Sequence, residues 1–276
     1  MKPRCSQKLI MVALMGILVN WVSLVLAEET KSSNDNSGDL AMKLQNPIAK
    51  LINVPIQNNW NFGIGSTQAM NYTANVQPVI PFSINDKLNL ITRTIIPITY
   101  AESTVPGGNS TTGLGDIQQS FFISPEKLIN GWIMGAGPIF LYPSATKHAL
   151  GQQKWGAGPT AILLKQEKIG WTRGILAHHL QSFAGTYTSP TVSSSYLQPF
   201  LSYTTHAYTT FGMNSESTYN WQSREWTVPV NAWVSQLVKL NNVPIQFLLG
   251  GRYYPQKPNG TADWGLRFTV TFAFPE

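Results

Sequence analysis

Residues 267–276 read RFTVTFAFPE. At the two-residue period of a β-strand, Phe268, Val270, Phe272 and Phe274 fall on one side, and Arg267, Thr269, Thr271 and Ala273 on the other. A strand this one-sided must place its aromatic face in a soluble core or in lipid.

The pattern recurs upstream. Tyr72, Ala74, Val76, Ile80 and Phe82 oppose Thr73, Asn75, Gln77 and Ser83; Ile117, Phe121 and Ile123 oppose Asp116, Gln118, Ser120 and Ser124; Phe247, Leu249 and Tyr253 oppose Gln246 and Arg252. In a soluble sandwich the outer face meets water and is usually dominated by Lys and Glu. Here the polar faces are mostly Asn, Gln, Ser and Thr. Over the whole chain only 12% of residues are charged while 43% are apolar and 11% aromatic, and the mean hydropathy is a near-neutral −0.08. A confined, wet lumen suits that uncharged polar face, and lipid suits the aromatic one. Trp60, Tyr72, Tyr100, Trp132, Tyr142, Trp155, Trp171 and Phe274 gather near strand ends, as in the aromatic girdles of a membrane barrel.

The pattern predicts twelve strands: 58–65, 71–83, 88–100, 115–124, 131–142, 155–165, 170–183, 194–204, 207–220, 226–238, 243–254 and 263–275. Connections after strands two, four, six, eight and ten are short, and those after three, five, seven and eleven are longer and rich in Gly, Ser, Thr and Pro. An even strand number with alternating short and long connections is the signature of an outer-membrane barrel with both termini in the periplasm. The expected fold is therefore all-β, a transmembrane antiparallel up-and-down β-barrel of about twelve strands. Pro78, Pro81, Pro97, Pro138, Pro159, Pro199 and Pro229 fall within or near these strands. Each removes a ladder N–H, which a closed barrel can tolerate at bulges, strand ends or rims.

Lys2, Arg4 and Lys8, the apolar stretch 9–26 and Val25-Leu26-Ala27 predict a signal peptide over residues 1–27. An uncleaved anchor is the alternative. Cleavage removes Cys5, the only cysteine, and lowers the net charge from +6 to +3. Disulfide chemistry and nucleic-acid binding are both disfavoured as a result. Residues 28–39 read as a disordered linker and residues 40–57 as an N-terminal helical segment before a barrel over 58–276. In that segment Asn46 is a good N-cap, Pro47 suits the first helical position, and Ile48, Leu51 and Ile52 share a face before Pro55. Such a short amphipathic helix has two places to go: the periplasmic mouth of the barrel, as a plug, or the membrane interface.

The segments QNPIAKLINVPIQNNWNFGIG, NVQPVIPFSINDKLNLITRTIIPITY, GLGDIQQSFFISP, GWIMGAGPIFLYPSAT, KWGAGPTAILL, LQPFLSY, WTVPV and DWGLRFTVTFAFPE occur in this order over residues 41–276. In them the chain resembles the bacterial outer-membrane β-barrel family tied to meta-pathway phenol degradation, whose members are also labelled transporters or "neuromedin U". The resemblance implies a barrel, a transport role and assembly by the barrel assembly machinery, with outer-membrane lipid as surroundings. It supplies no site residues. Two alternatives to a channel for small, anionic or aromatic solutes remain: a non-conducting structural or binding barrel, and a secreted or periplasmic β-sandwich binding protein.

No catalytic spacing stands out, so a non-enzyme is expected. His179 and Ser182 are three residues apart, whereas the outer-membrane phospholipase family sets its His and Ser two apart. His178 and His179 point to opposite faces, which disfavours a metal pair. The GAGP turns before Pro138 and Pro159 lack the Lys-Ser/Thr of a phosphate loop, and no cofactor is expected. Strand parity puts Arg93, Asp116, Gln118, Arg252 and Arg267 on the inward face with Asn59, Asn61, Asn75 and Gln77. Those charges either brace the barrel as an ion-pair network or leave a positive constriction.

Overall fold

The computed structural model describes residues 37–275 apart from Asn242. The expected signal peptide and residues 28–36 of the expected linker lie outside the described residues. A short helix, α1 (Ser37–Lys43), precedes fifteen strands: β1 (Ile52–Ile64), β2 (Ala69–Val76), β3 (Val79–Asn85), β4 (Leu88–Ala101), β5 (Thr111–Leu114), β6 (Ile117–Pro125), β7 (Ile133–Tyr142), β8 (Lys154–Gln166), β9 (Trp171–Gly185), β10 (Ser193–Thr204), β11 (Thr209–Ser215), β12 (Ser217–Asn220), β13 (Glu225–Leu240), β14 (Val243–Gln256) and β15 (Trp264–Phe274). The pairs β2/β3, β5/β6 and β11/β12 are each one interrupted strand, which leaves twelve antiparallel staves. β1 pairs with β15, so the last strand closes on the first.

The interruptions fall at prolines, for the reason that a proline cannot donate to the ladder. Pro78 separates β2 from β3. Gly115, between β5 and β6, donates to the carbonyl of Pro97 at 2.8 Å, and Glu216, between β11 and β12, donates to that of Pro229 at 3.2 Å. The register on β4 slips by one residue across the β5/β6 break, the signature of a bulge. Pro138 and Pro159 face each other across β7 and β8 and lie on the outer side.

Burial alternates as the last ten residues require. On β15, Gly265, Arg267, Thr269, Thr271 and Ala273 are buried, while Leu266, Phe268, Val270 and Phe272 remain half-exposed. The outer face elsewhere carries exposed Phe82, Ile98, Ile123, Phe211 and Met213. A water-soluble protein does not expose so continuous an apolar band. Rings cluster at one rim, with Trp60 against Tyr72 at 5.2 Å, Phe62 against Trp264 at 4.5 Å and Tyr142 against Trp155 at 5.6 Å. At the opposite rim Trp171 packs on Tyr203 at 5.1 Å. Turns 86–87, 126–132, 167–170 and 205–208, and Asn241, lie at the rim where β1 starts and β15 ends; loops 65–68, 102–110, 143–153, 186–192, 221–224 and 257–263 lie at the other.

The segment before β1 departs from its expected form. The helix is Ser37–Lys43, so it takes in residues 37–39 of the expected linker. Asn46 does cap, but it caps a turn: its Oδ1 accepts the N–H of Ile48 at 3.0 Å, and the backbone then enters β1 at Ile52 rather than continuing as helix. Pro55 lies inside β1, opposite Thr271. An Asn-Pro pair signals a turn as well as a helix start, and here pairing with β15 outweighs the local helical option.

This segment lies across the turn-end mouth. Ile48 packs with Val79, Ile91, Phe122, Ile162, Leu164 and Leu176 from β3, β4, β6, β8 and β9. Leu40, Ala41, Ala49 and Leu51 pack with Leu237 on β13 and Ala273 on β15. Gly135 makes room for it: a Cβ there would stand 3.0 Å from Ile48 Cδ1. At the rim, Lys50 Nζ meets Glu126 Oε1 at 2.9 Å, and Asn89 Nδ2 donates to the other oxygen. The hydrogen bond from Lys50, then that from Asn89, holds the Glu126 carboxyl below the usual glutamate range. A carboxylate depressed on docking strengthens the docked state above its ordinary pKa and loses that contribution as the pH falls through the lowered value. Acidification from about pH 7 to about pH 3 is therefore expected to loosen the segment. Rate-corrected hydrogen exchange over residues 44–51 should rise with acid, and Glu126→Gln should remove that dependence. A pH-independent exchange in the unsubstituted protein would refute the latch.

Candidate functional site

The lumen is polar at its middle because period-two alternation brings inward residues from many staves to one level. Glu216 is the hub. It continues the inward parity of Thr210 and Asn214, and it stands opposite Pro229, where the ladder is interrupted. Arg267 Nη1 and Nη2 donate to Glu216 Oε1 and Oε2 at 2.8 and 2.9 Å, a bidentate fork, and Arg252 Nη2 donates to Oε2. Three further guanidinium donors have neutral partners. Arg267 Nε reaches Asn59 Oδ1 at 2.8 Å and Arg252 Nε reaches Asn231 Oδ1 at 2.7 Å. Arg252 Nη1 donates to the Tyr254 hydroxyl at 3.3 Å, and that hydroxyl donates to Asn61 Oδ1 at 2.9 Å.

Arg93, on β4, lies outside this fork. Its Nη2 donates to Gln77 Oε1 at 2.9 Å. Across the lumen from β4, His178 on β9 stacks on Tyr196 on β10, centroids 4.6 Å apart and planes at 11°. Tyr196 and Phe200 rest on the apolar cluster that Ile48 seals.

The nine residues expected inside divide accordingly. Arg252, Arg267, Asn59 and Asn61 share one hydrogen-bonded network, and Arg93 and Gln77 form a second pair. Asn75 pairs in register with Gln57 and Pro97, and Gln118 with Ile95 and Leu141. Asp116 is not the arginines' carboxylate: the bulge beside Pro97 holds it at the loop end, where its oxygens accept the N–H groups of Ala145, at 3.1 Å, and Gln152. The true counter-ion, Glu216, was open to the same parity argument, since Phe211 and Met213 mark the outer side of its stave.

One Ser/His contact does form, between neighbouring strands. His179 Nδ1 and Ser195 Oγ are 2.9 Å apart, and Trp221 Nε1 donates to the same oxygen at 2.9 Å. His179 and Ser195 pair across β9 and β10 on the outer face, so the contact belongs to the wall and not to the lumen.

No protein-family model matches the chain, and no curated protein matches it. Among solved structures, an outer-membrane channel from Pseudomonas putida is similar at 14% identity and a TM-score of 0.63, over 81% of this chain and 94% of that one. The β domain of the Bordetella autotransporter BrkA matches at 10% identity and a TM-score of 0.45, over 82% and 100%. The Salmonella typhi outer-membrane phospholipase dimer with bound calcium matches at 11% and 0.42, over 88% and 99%. The first of these similarities, together with the closure of β15 on β1, gives the chain the closed barrel fold of outer-membrane proteins.

Proposed function

We propose that the protein is an outer-membrane channel for small polar or anionic solutes, aromatic ones included, with its turn-end mouth covered by its own residues 37–51. The observation that carries this reading is the lumen: a belt of Asn, Gln and Thr around three arginines and one glutamate, inside a wall whose outer face is apolar. A barrel that served only as a scaffold has no need of a cationic centre. The similarity to a Pseudomonas putida outer-membrane channel and the resemblance to the meta-pathway family support the same reading. On this reading the chain is no enzyme, lipid is its surroundings, and the barrel assembly machinery inserts it.

The test is single-channel recording in planar bilayers. The chain lacking residues 1–27 is expected to pass small, intermittent currents. Removing residues 28–50 as well should raise the conductance several-fold, because Leu40, Ala41, Ile48 and Ala49 then leave the mouth. Folding of both forms is checked by heat-modifiable migration on SDS gels. Two folded, non-conducting proteins would favour a structural or binding barrel.

A further inference from the structure

We infer that Arg93 is the ligand-binding cation of the lumen and that its site takes a small organic carboxylate with an apolar body. This deepens the channel reading and rests on it.

Charge accounting at the centre comes first. Of the four charged side chains there, Glu216 has both oxygens occupied by Arg267 and Arg252. Arg93 has one hydrogen bond, to the neutral oxygen of Gln77. A guanidinium carries five N–H donors and matches a carboxylate two at a time. Among the described residues the centre therefore holds three cations and one anion, and the surplus charge falls on the arginine whose fork has no acid. Half-buried in a narrow lumen, such a cation is costly unless an anion from solution completes it.

The surroundings of Arg93 select which anion. Two residues toward the turn end on the same strand is Ile91, and directly opposite Arg93 on β3 is Val79. With Phe122, Ile162, Leu164 and Leu176 they form the apolar cluster below, closed by Ile48. The stacked His178 and Tyr196 rings stand within electrostatic reach of Arg93. The half-buried ring faces beside the cation give a carboxylate both an ion partner and an apolar surface for its hydrocarbon body, and the fully buried cluster below closes the site toward the turn end. Chloride or phosphate would use the first and gain nothing from the second.

The test is calorimetric titration of the refolded chain lacking residues 1–27, in detergent, with sodium benzoate, and with benzyl alcohol as the neutral mimic. Benzoate is expected to bind saturably and about tenfold or more tightly than benzyl alcohol. Arg93→Gln should weaken benzoate about tenfold and leave benzyl alcohol unchanged. Arg93→Lys keeps the charge but not the fork, so it should lose part of that affinity, and it decides the matter if Arg93→Gln does not fold. Equal binding of the acid and the alcohol, or unaltered benzoate affinity in the folded variant, overturns the site. Binding is read without current: a conducting barrel indifferent to benzoate loses the site and keeps the channel, and a benzoate-binding barrel without conductance does the reverse.

Discussion

Glu216→Ala is expected to destabilise the barrel by about 3–5 kcal/mol, because it strands two guanidiniums that share one carboxylate. The side chains of Arg267, Arg252 and Glu216 are only 8%, 11% and 19% exposed, so these are not screened surface pairs, which would be worth about 1 kcal/mol or less. Asn59 and Asn231 would still hold each arginine at one nitrogen, leaving the charges close together with nothing between them. Urea unfolding in detergent, followed by tryptophan fluorescence and by gel migration, measures the loss. Adding Arg267→Gln to Glu216→Gln should recover part of the stability lost in Glu216→Gln alone, since it removes one member of the repelling pair. A cost for Glu216→Ala below about 0.5 kcal/mol would mean that lumen water screens the cluster and that the fork braces nothing.

The fold was legible because a barrel wall repeats one rule. Every stave must be apolar outside and polar within, so Phe268, Val270 and Phe272 on one strand carry the same information as Phe121 and Ile123 on another, and local errors average out. Prolines inside strands run against the rule, and Pro78, Pro97 and Pro229 mark the three interruptions of the ladder. What could not be read was the outcome of local competition. Asn46 offers the same capping oxygen to a turn and to a helix; pairing of Ile52 onward with β15 decides between them, and that pairing is non-local.

The centre was partly legible for the same reason. Parity finds Arg252 and Arg267 because their strands run without a slip between them. It fails for Asp116 because a single extra residue at the bulge redirects the side chain to the loop end. Glu216 shows the converse: its stave is interrupted but keeps register, with Ser215 opposite Val230 and Thr218 opposite Thr227. A proline across the ladder can therefore cause a gap or a slip. Only the slip changes which residues meet.

Val270→Arg should cost about 2–4 kcal/mol in a lipid bilayer, the penalty for a cation on the lipid face near the midplane. Val270 stands in register between Ile56 on β1 and Phe247 on β14, with Phe268 and Phe272 as its neighbours on the outer face. No carboxylate lies in that row for the arginine to meet, and the aliphatic stem has several residues to cross before it reaches either rim. The penalty depends on depth, which supplies the control. Ile52 is also on the outer side but pairs with Phe274 at the turn-end rim, so Ile52→Arg should cost about 0–1 kcal/mol. Both are measured as reversible unfolding from liposomes. In detergent micelles, which deform around a charge, the gap between the two should narrow. Equal penalties in the bilayer, or a larger one at Ile52, would place lipid elsewhere than on the aromatic face of the last strand.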